Sequence, residues 1–142
     1  MEFSEIIQQR RSIKSYQSGK EISDAELKKL MQEVVLSPSS FNMQHWTFIA
    51  VRNTEIRESI QQAAWGQEQV GTCSVLLVIC GKLDAYKDAP KIYQGTPQGV
   101  QEKVLPMIKN FYDGKEQLQR DEAIRSASLA AMVLMLAAHN RG

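Results

Sequence analysis

Two short stretches of this chain carry the residue types that binding chemistry needs. Arg10-Arg11-Ser12-Ile13-Lys14 sets three cations and a hydroxyl at the end of a short amphipathic segment. Ser37-Pro38-Ser39-Ser40-Phe41-Asn42-Met43-Gln44-His45-Trp46 is a hydroxyl- and amide-rich loop running into an apolar strand, Thr47-Phe48-Ile49-Ala50-Val51. In an extended segment Arg10, Ser12 and Lys14 share one face. A guanidinium fork matches phosphate oxygens, and a serine hydroxyl adds a neutral donor. Asn42 and Gln44 place amides beside an apolar region; buried amides need partners, and the edge of a planar polar ring supplies them. Together the stretches could hold a phosphate at one end and such a ring at the other. Each also has a plainer use. Cations favour a helix C-terminus, and Ser-Pro segments end helices and form turns.

Other candidates are weaker. Gln67 and Gln69 precede an apolar run and could reach a ring edge, or be ordinary surface glutamines. Trp65 could pack over a cofactor rim or lie in a core or interface. His45 and His139 lack a carboxylate or cysteine at metal-ligand spacing, so no metal site is read. Cys73 and Cys80 have neither a Cys-x-x-Cys spacing nor a neighbouring base, which argues against a nucleophile or redox pair. Their apolar surroundings favour free thiols in a reducing cytoplasm. No Gly-rich phosphate loop and no nucleophile elbow occurs.

The elements that must position these residues follow from periodicity. Phe3, Ile6 and Ile7 form a one-sided helical stripe ending at Arg10-Arg11. Ser23-Asp24-Ala25-Glu26 is a capping box, behind which Leu27, Leu30, Met31, Val34 and Val35 repeat at helical spacing. Pro38 closes that helix. After the Thr47–Val51 strand, Asn53-Thr54-Glu55 opens a helix carrying Ile56 and Ile60. Val75 to Cys80 is a continuous apolar run, the pattern of a strand covered on both faces. Asp84 to Pro97 is polar with Pro90, Gly95 and Pro97, and reads as a connector. A helix from Val100 to Tyr112 follows, then a last helix from about Gln119 to Asn140. From Ser126 to Ala138 that helix is apolar or small around its circumference, which predicts burial on all sides, in the core or against a partner subunit.

Composition bounds the function. A chain of 142 residues fits one domain, residues 1–142. A 43% hydrophobic and 23% charged composition is ordinary for a soluble globular protein. A net charge of +1 implies no nucleic-acid partner. The N-terminus has no signal-peptide core, and the Ala127–Ala138 run is short of the ~20 residues of a membrane helix, so the expected location is the cytoplasm with no membrane partner. Only two strands are convincing, and a two-stranded sheet is marginal alone. A strand would normally follow a cap such as Gly142, so the fold reads as C-terminally incomplete.

The order Arg-Arg-Ser-x-Lys, Ile-Ser-x-x-Glu-Leu, Ser-Pro-Ser-Ser-x-Asn-x-Gln-x-Trp and Phe-Ile-Ala-Val resembles the N-terminal two-thirds of an FMN-dependent nitroreductase-family flavoprotein. Trp65-Gly66-Gln67-Glu68-Gln69-Val70 and Ser126-Ala127-Ser128-Leu129-Ala130-Ala131-Met132 fit the same pattern. The resemblance spans essentially the whole chain. It implies an α+β fold with a central sheet and long dimerisation helices, and two FMN sites at the interface of a homodimer. Carried over by position, Arg10, Arg11, Ser12 and Lys14 would bind FMN from one subunit, and Pro38, Ser39, Ser40 and Asn42 from the other. Gln69 would face the ring. Family members often have Pro at the position of His45 and Asn at that of Gly66. The implied activity is an oxidoreductase one: hydride passes from NAD(P)H through flavin to a nitroaromatic, quinone or similar acceptor by a ping-pong exchange, with no protein acid or base assigned. The alternative is a non-catalytic remnant that keeps the helical dimer scaffold and binds FMN weakly or not at all.

Overall fold

Residues 2–17 and 19–142 are described by a computed structural model. The elements in chain order are α1 (Phe3–Gln9), α2 (Asp24–Val34), β1 (Trp46–Val51), α3 (Thr54–Ala63), α4 (Glu68–Thr72), β2 (Leu76–Gly81), α5 (Ala89–Ile92), α6 (Gln98–Tyr112) and α7 (Glu116–Arg141). Local chemistry sets several boundaries. The Ser23 hydroxyl accepts from the Glu26 N–H at 3.2 Å, and the Glu26 carboxylate accepts from the Ser23 N–H at 2.8 Å, the reciprocal capping box expected at the start of α2. Asn53 caps α3 by accepting from the Ile56 N–H at 2.9 Å.

The two strands pair antiparallel, with Trp46 opposite Gly81 and Val51 opposite Leu76. α7 packs against both strands and against α2. This contact needs small side chains. A Cβ on Gly81 would lie 3.1 Å from the Ala123 Cβ and 3.3 Å from the Ala123 carbonyl, so glycine lets the strand approach the helix more closely than a larger residue would. On the same side of α7, Ala130 packs with Trp46, Leu30 and Val34 in a first apolar cluster, flanked by Met31, Phe48, Leu134 and Ala137. At the helix's far end Arg141 forms a two-pronged ion pair with Glu33 of α2, with Nη1 3.0 Å from Oε2.

A second cluster joins Met43, Ala85, Ala89, Ile108 and Tyr112. Here the structure corrects the connector read for Asp84 to Pro97. That segment folds into a 3-10 turn, Ala85–Asp88, continuous with α5, and sends Ala85, Ala89, Tyr86 and Tyr93 into or against the core. Its small residues and short turns give no periodicity to read, yet they allow close packing on α6.

α7 differs from expectation in a second way. It is longer than read, and within one chain it is not buried all round. Glu122, Ala123, Ser126 and Ala130 are buried, whereas Ile124, Leu129, Met132 and Met135 are exposed. α7 is also long and apolar enough to cross a membrane by those criteria alone. Its buried face is occupied by the sheet and α2, as in a core helix. Of the stripe on α1 only Ile6 is buried, and in α3 the buried residue is Arg57 rather than Ile56.

Gly81→Val should destabilise the chain by about 1–3 kcal/mol, because the added side chain crowds Ala123 of α7, backbone included. Urea unfolding followed by circular dichroism measures the shift. An unchanged midpoint would mean that β2 does not seat on Ala123.

Candidate functional site

The loop from Ser37 to His45 leaves α2 and enters β1, and its backbone is unusual. Phe41, Asn42 and Gln44 have φ of 53°, 55° and 50°. Left-handed geometry is uncommon for residues other than glycine and costs of order 1–3 kcal/mol each, so the surroundings must impose it. They do so at several points. The Ser37 hydroxyl donates to the Val34 carbonyl at 2.6 Å. The Ser39 hydroxyl accepts from the Gln44 N–H at 2.9 Å. The Asn42 and Met43 N–H groups donate to the carbonyls of Ser39 and Ser40, each at 3.0 Å. The Tyr93 hydroxyl donates to the Phe41 carbonyl at 3.0 Å. Met43 is buried as a peg in the second cluster, and the Phe41 ring stands edge-on to Phe111 and Tyr112 at 5.4 and 6.2 Å.

This loop forms one wall of an open recess of about 340 Å³, lined by Pro38, Ser39 and Ser40 and, from α7, by Glu122, Arg125, Ser126 and Leu129. Glu122 is buried and ion-paired to the exposed Arg125. The lining thus offers three hydroxyls and a guanidinium between the apolar faces of Pro38 and Leu129. Behind it lies His45, fully buried, with Nδ1 3.4 Å from the Ser126 hydroxyl and its ring 5.4 Å from the Tyr112 ring. Burial holds the His45 imidazole below its ordinary pKa, partly offset by the Glu122 carboxylate. Burial likewise raises the Tyr112 phenol, and the Ser40 hydroxyl works against it.

Among the residues singled out from sequence, Pro38, Ser39 and Ser40 meet at the recess. Asn42 lies beside it with an exposed side chain. Arg10, Arg11, Ser12 and Lys14 lie on an irregular segment after α1. The Ile13 N–H turns back to the Arg11 carbonyl at 3.1 Å, so the run does not have the simple alternation of an extended strand. Arg11 is turned to backbone, donating to the Gln8 and Arg10 carbonyls at 2.7 and 2.8 Å. Ser12 and Lys14 are exposed. Among the described residues no hydrogen bond or ion pair joins this segment to the Pro38–Asn42 loop. Gln69, on α4, donates to the Gln67 side chain at 2.7 Å. Just before it, Trp65 and Gly66 are both left-handed, at φ 57° and 71°, and Trp65 is 92% exposed. Both cysteines are free, and no group of three potential metal ligands occurs among the described residues.

Glu122, Arg125 and Ser126 were not singled out as site residues by sequence reasoning. They sit at positions i, i+3 and i+4 of a helix and so share a face, but only the fold shows that Ser39 and Ser40 lie opposite.

Residues 7–142 match the model of the nitroreductase family. This chain belongs to the nitroreductase family. It is 37% identical to the protein named "Putative NAD(P)H nitroreductase MhqN" of Bacillus subtilis, over 99% of this chain and 72% of that protein. Crystal structures agree. A nitroreductase structure from Bacillus subtilis named ydfN superposes with a TM-score of 0.91 at 35% identity, covering 99% of this chain and 71% of that one. A nitroreductase from Exiguobacterium sibiricum, solved in complex with FMN, does so with a TM-score of 0.91 at 31% identity, covering 98% and 70%. The α+β nitroreductase fold expected from the motifs is therefore the fold of this chain, which spans about seven-tenths of these relatives' length.

Ser39→Ala removes the acceptor for the Gln44 N–H, and should cost about 1 kcal/mol while loosening the left-handed residues it closes. Thermal unfolding would report the loss, and amide hydrogen exchange at Gln44 would report the loosening. Unchanged protection at Gln44 would show that Met43 and Tyr93 alone hold the loop.

Proposed function

We propose that this chain is an FMN-dependent oxidoreductase. It takes reducing equivalents from NADH or NADPH and delivers them to a nitroaromatic, quinone or similar acceptor in two successive steps, as a cytoplasmic homodimer folded as one domain. The observation that carries this reading is the separation of two complementary half-sites within one chain. A recess with a hydroxyl-rich lining lies between the Ser39–Gln44 loop and α7, while the Arg10–Lys14 cations stand apart, with no hydrogen bond or ion pair to it among the described residues. The exposed apolar face of α7, Ile124, Met132 and Met135, supplies a surface on which a second copy would bring the halves together.

The chemistry of the recess suits a flavin. Its apolar walls at Pro38 and Leu129 fit a ring face, and the Ser39, Ser40 and Ser126 hydroxyls and the Arg125 guanidinium offer donors to polar edges. Asn42 and Gln69 would meet the ring from the loop and from α4. Arg10, Arg11 and Ser12 would hold the phosphate, and Lys14 would place its charge near the ring edge that turns negative on reduction. Bound FMN would supply the hydride chemistry itself. The protein's part is to orient, to exclude water and to stabilise charge. The relatives' NAD(P)H nitroreductase names and the FMN-bound neighbour support the same assignment. The competing reading, a dimer scaffold that binds no flavin, draws on the sheet having only two strands.

FMN added to the purified protein should survive desalting, show visible flavin bands, and bleach with NADPH or NADH under nitrogen. Arg10→Ala should weaken FMN binding roughly tenfold to a hundredfold, the range of a lost charge-assisted hydrogen bond, with little change in thermal stability. A colourless protein that still elutes as a folded dimer would overturn the enzyme reading and leave the scaffold reading standing.

A further inference from the structure

His45 is a fully buried polar side chain with too few partners. Its Nδ1 has the Ser126 hydroxyl at 3.4 Å, and its Nε2 is buried with no hydrogen-bond partner. A neutral imidazole has one N–H and one bare nitrogen. A bare acceptor is the cheaper of the two to leave unpaired, because under-satisfied acceptors are tolerated more readily than orphaned donors. The proton therefore belongs on Nδ1, facing Ser126. The Ser126 oxygen then accepts from the ring, and its own proton is free to point into the recess it lines.

The residue is held by its ring face-neighbour and by its backbone as well. The ring packs at a tilt against the buried Tyr112 ring of α6, whose hydroxyl has no partner of full hydrogen-bond geometry and has Ser40 of the loop close by. The His45 carbonyl accepts the Lys82 N–H at 3.0 Å, where β2 ends. So one side chain ties the loop's exit into β1 to α6 and α7 at once.

We propose that His45 is the positioning residue of this recess: as a neutral ring it fastens the Ser39–Gln44 loop to α7 through Ser126 and to α6 through Tyr112, and a second proton on the ring unfastens it. A second proton creates an Nε2–H donor in a buried place with no acceptor. The charged groups around it do not remove that cost. On α7, Glu122 attracts the imidazolium, but its carboxylate is already paired with Arg125. On α6, Tyr112 is a neutral phenol, backed by the stacked Tyr86 ring whose hydroxyl donates to Asp113. At the end of β2, the Lys82 ammonium is paired with Asp88. The sign of the linkage follows. Because the folded ring resists its second proton, the unfolded chain binds more protons, so stability rises with pH and drops as pH is lowered. This contribution is fully present above the ordinary imidazole value of about 6.5 and is lost as pH falls through the lower folded value.

The flavin part of this inference rests on the function proposed above, so the experiment has an arm that needs no flavin. In the FMN-free protein, the amides of Asn42, Gln44 and Ser126 should titrate together with the His45 ring, at a midpoint below 6.5, in nuclear magnetic resonance spectra from pH 8 to pH 5. His45→Asn keeps an amide N–H near the Nδ1 position and cannot titrate, so those shifts should be flat. His45→Phe keeps the ring volume without the donor and should leave the Ser126 amide environment altered at every pH. In the second arm, FMN is titrated into wild type and His45→Asn at each pH. The ratio of their affinities cancels the titration of FMN's own phosphate, and should shift against wild type as pH is lowered from 8 to 5. Flat loop shifts in wild type, or shifts that persist in His45→Asn, would overturn the inference whether or not FMN binds. Titrating loop amides in a protein that takes no FMN would uphold the fastening and overturn the flavin reading instead.

Discussion

The close approach of β2 to α7 is the contact on which the rest of this structure depends. A two-stranded sheet is marginal on its own in water, and here it is held by lying directly on a helix. That close seating is favoured by a glycine on the strand, Gly81, against an alanine on the helix, Ala123. Further along α7, Ala130 lets Trp46 and α2 close in. Once these contacts are made, the directions of all side chains on α7 are set. Glu122, Arg125, Ser126 and Leu129 turn toward the loop before β1, and Ile124, Met132 and Met135 turn outward. The recess and the apolar outer face are two results of one packing decision.

The loop before β1 is held rigid rather than left flexible. Left-handed backbone at Phe41, Asn42 and Gln44 is a local cost that buried contacts offset, namely Met43 in the core, Tyr93 on the Phe41 carbonyl and Ser39 on the Gln44 N–H. Such a loop presents its hydroxyls in fixed directions before any ligand arrives. Preorganisation of this kind lowers the ordering cost of binding. It also explains why an otherwise ordinary connector, Ala85 to Tyr93, is drawn into the core: it is the support against which the loop is braced.

Local signals were legible, and tertiary ones were not. The capping box at Ser23 and Glu26 and the places of the two apolar strands depend on neighbours a few residues away, and the structure agrees with them; α2 ends at Val34, before the Pro38 stop, and β2 is half-buried along its length rather than covered on both faces. The recess loop could be named because Ser39 and Ser40 are unusual together before an apolar strand. Its left-handed backbone could not be read, since of Phe41, Asn42 and Gln44 only Asn is a residue type that favours it. His45 was set aside for want of metal-ligand spacing; its partner Ser126 lies 81 positions away and no periodicity links them. An apolar circumference on α7 foretold contact on every side but not with what, because one chain covers only one face.

The two tryptophans of the chain occupy opposite extremes. Trp46 is 8% exposed in the cluster beneath α7, directly after the recess loop, while Trp65 is 92% exposed on a left-handed turn. Indole emission moves to longer wavelength in water, so the two residues emit in separable bands. The chain is in effect labelled twice by nature. The blue component follows the integrity of the sheet–helix seat, and the red one follows whatever comes to rest against the exposed turn at Trp65.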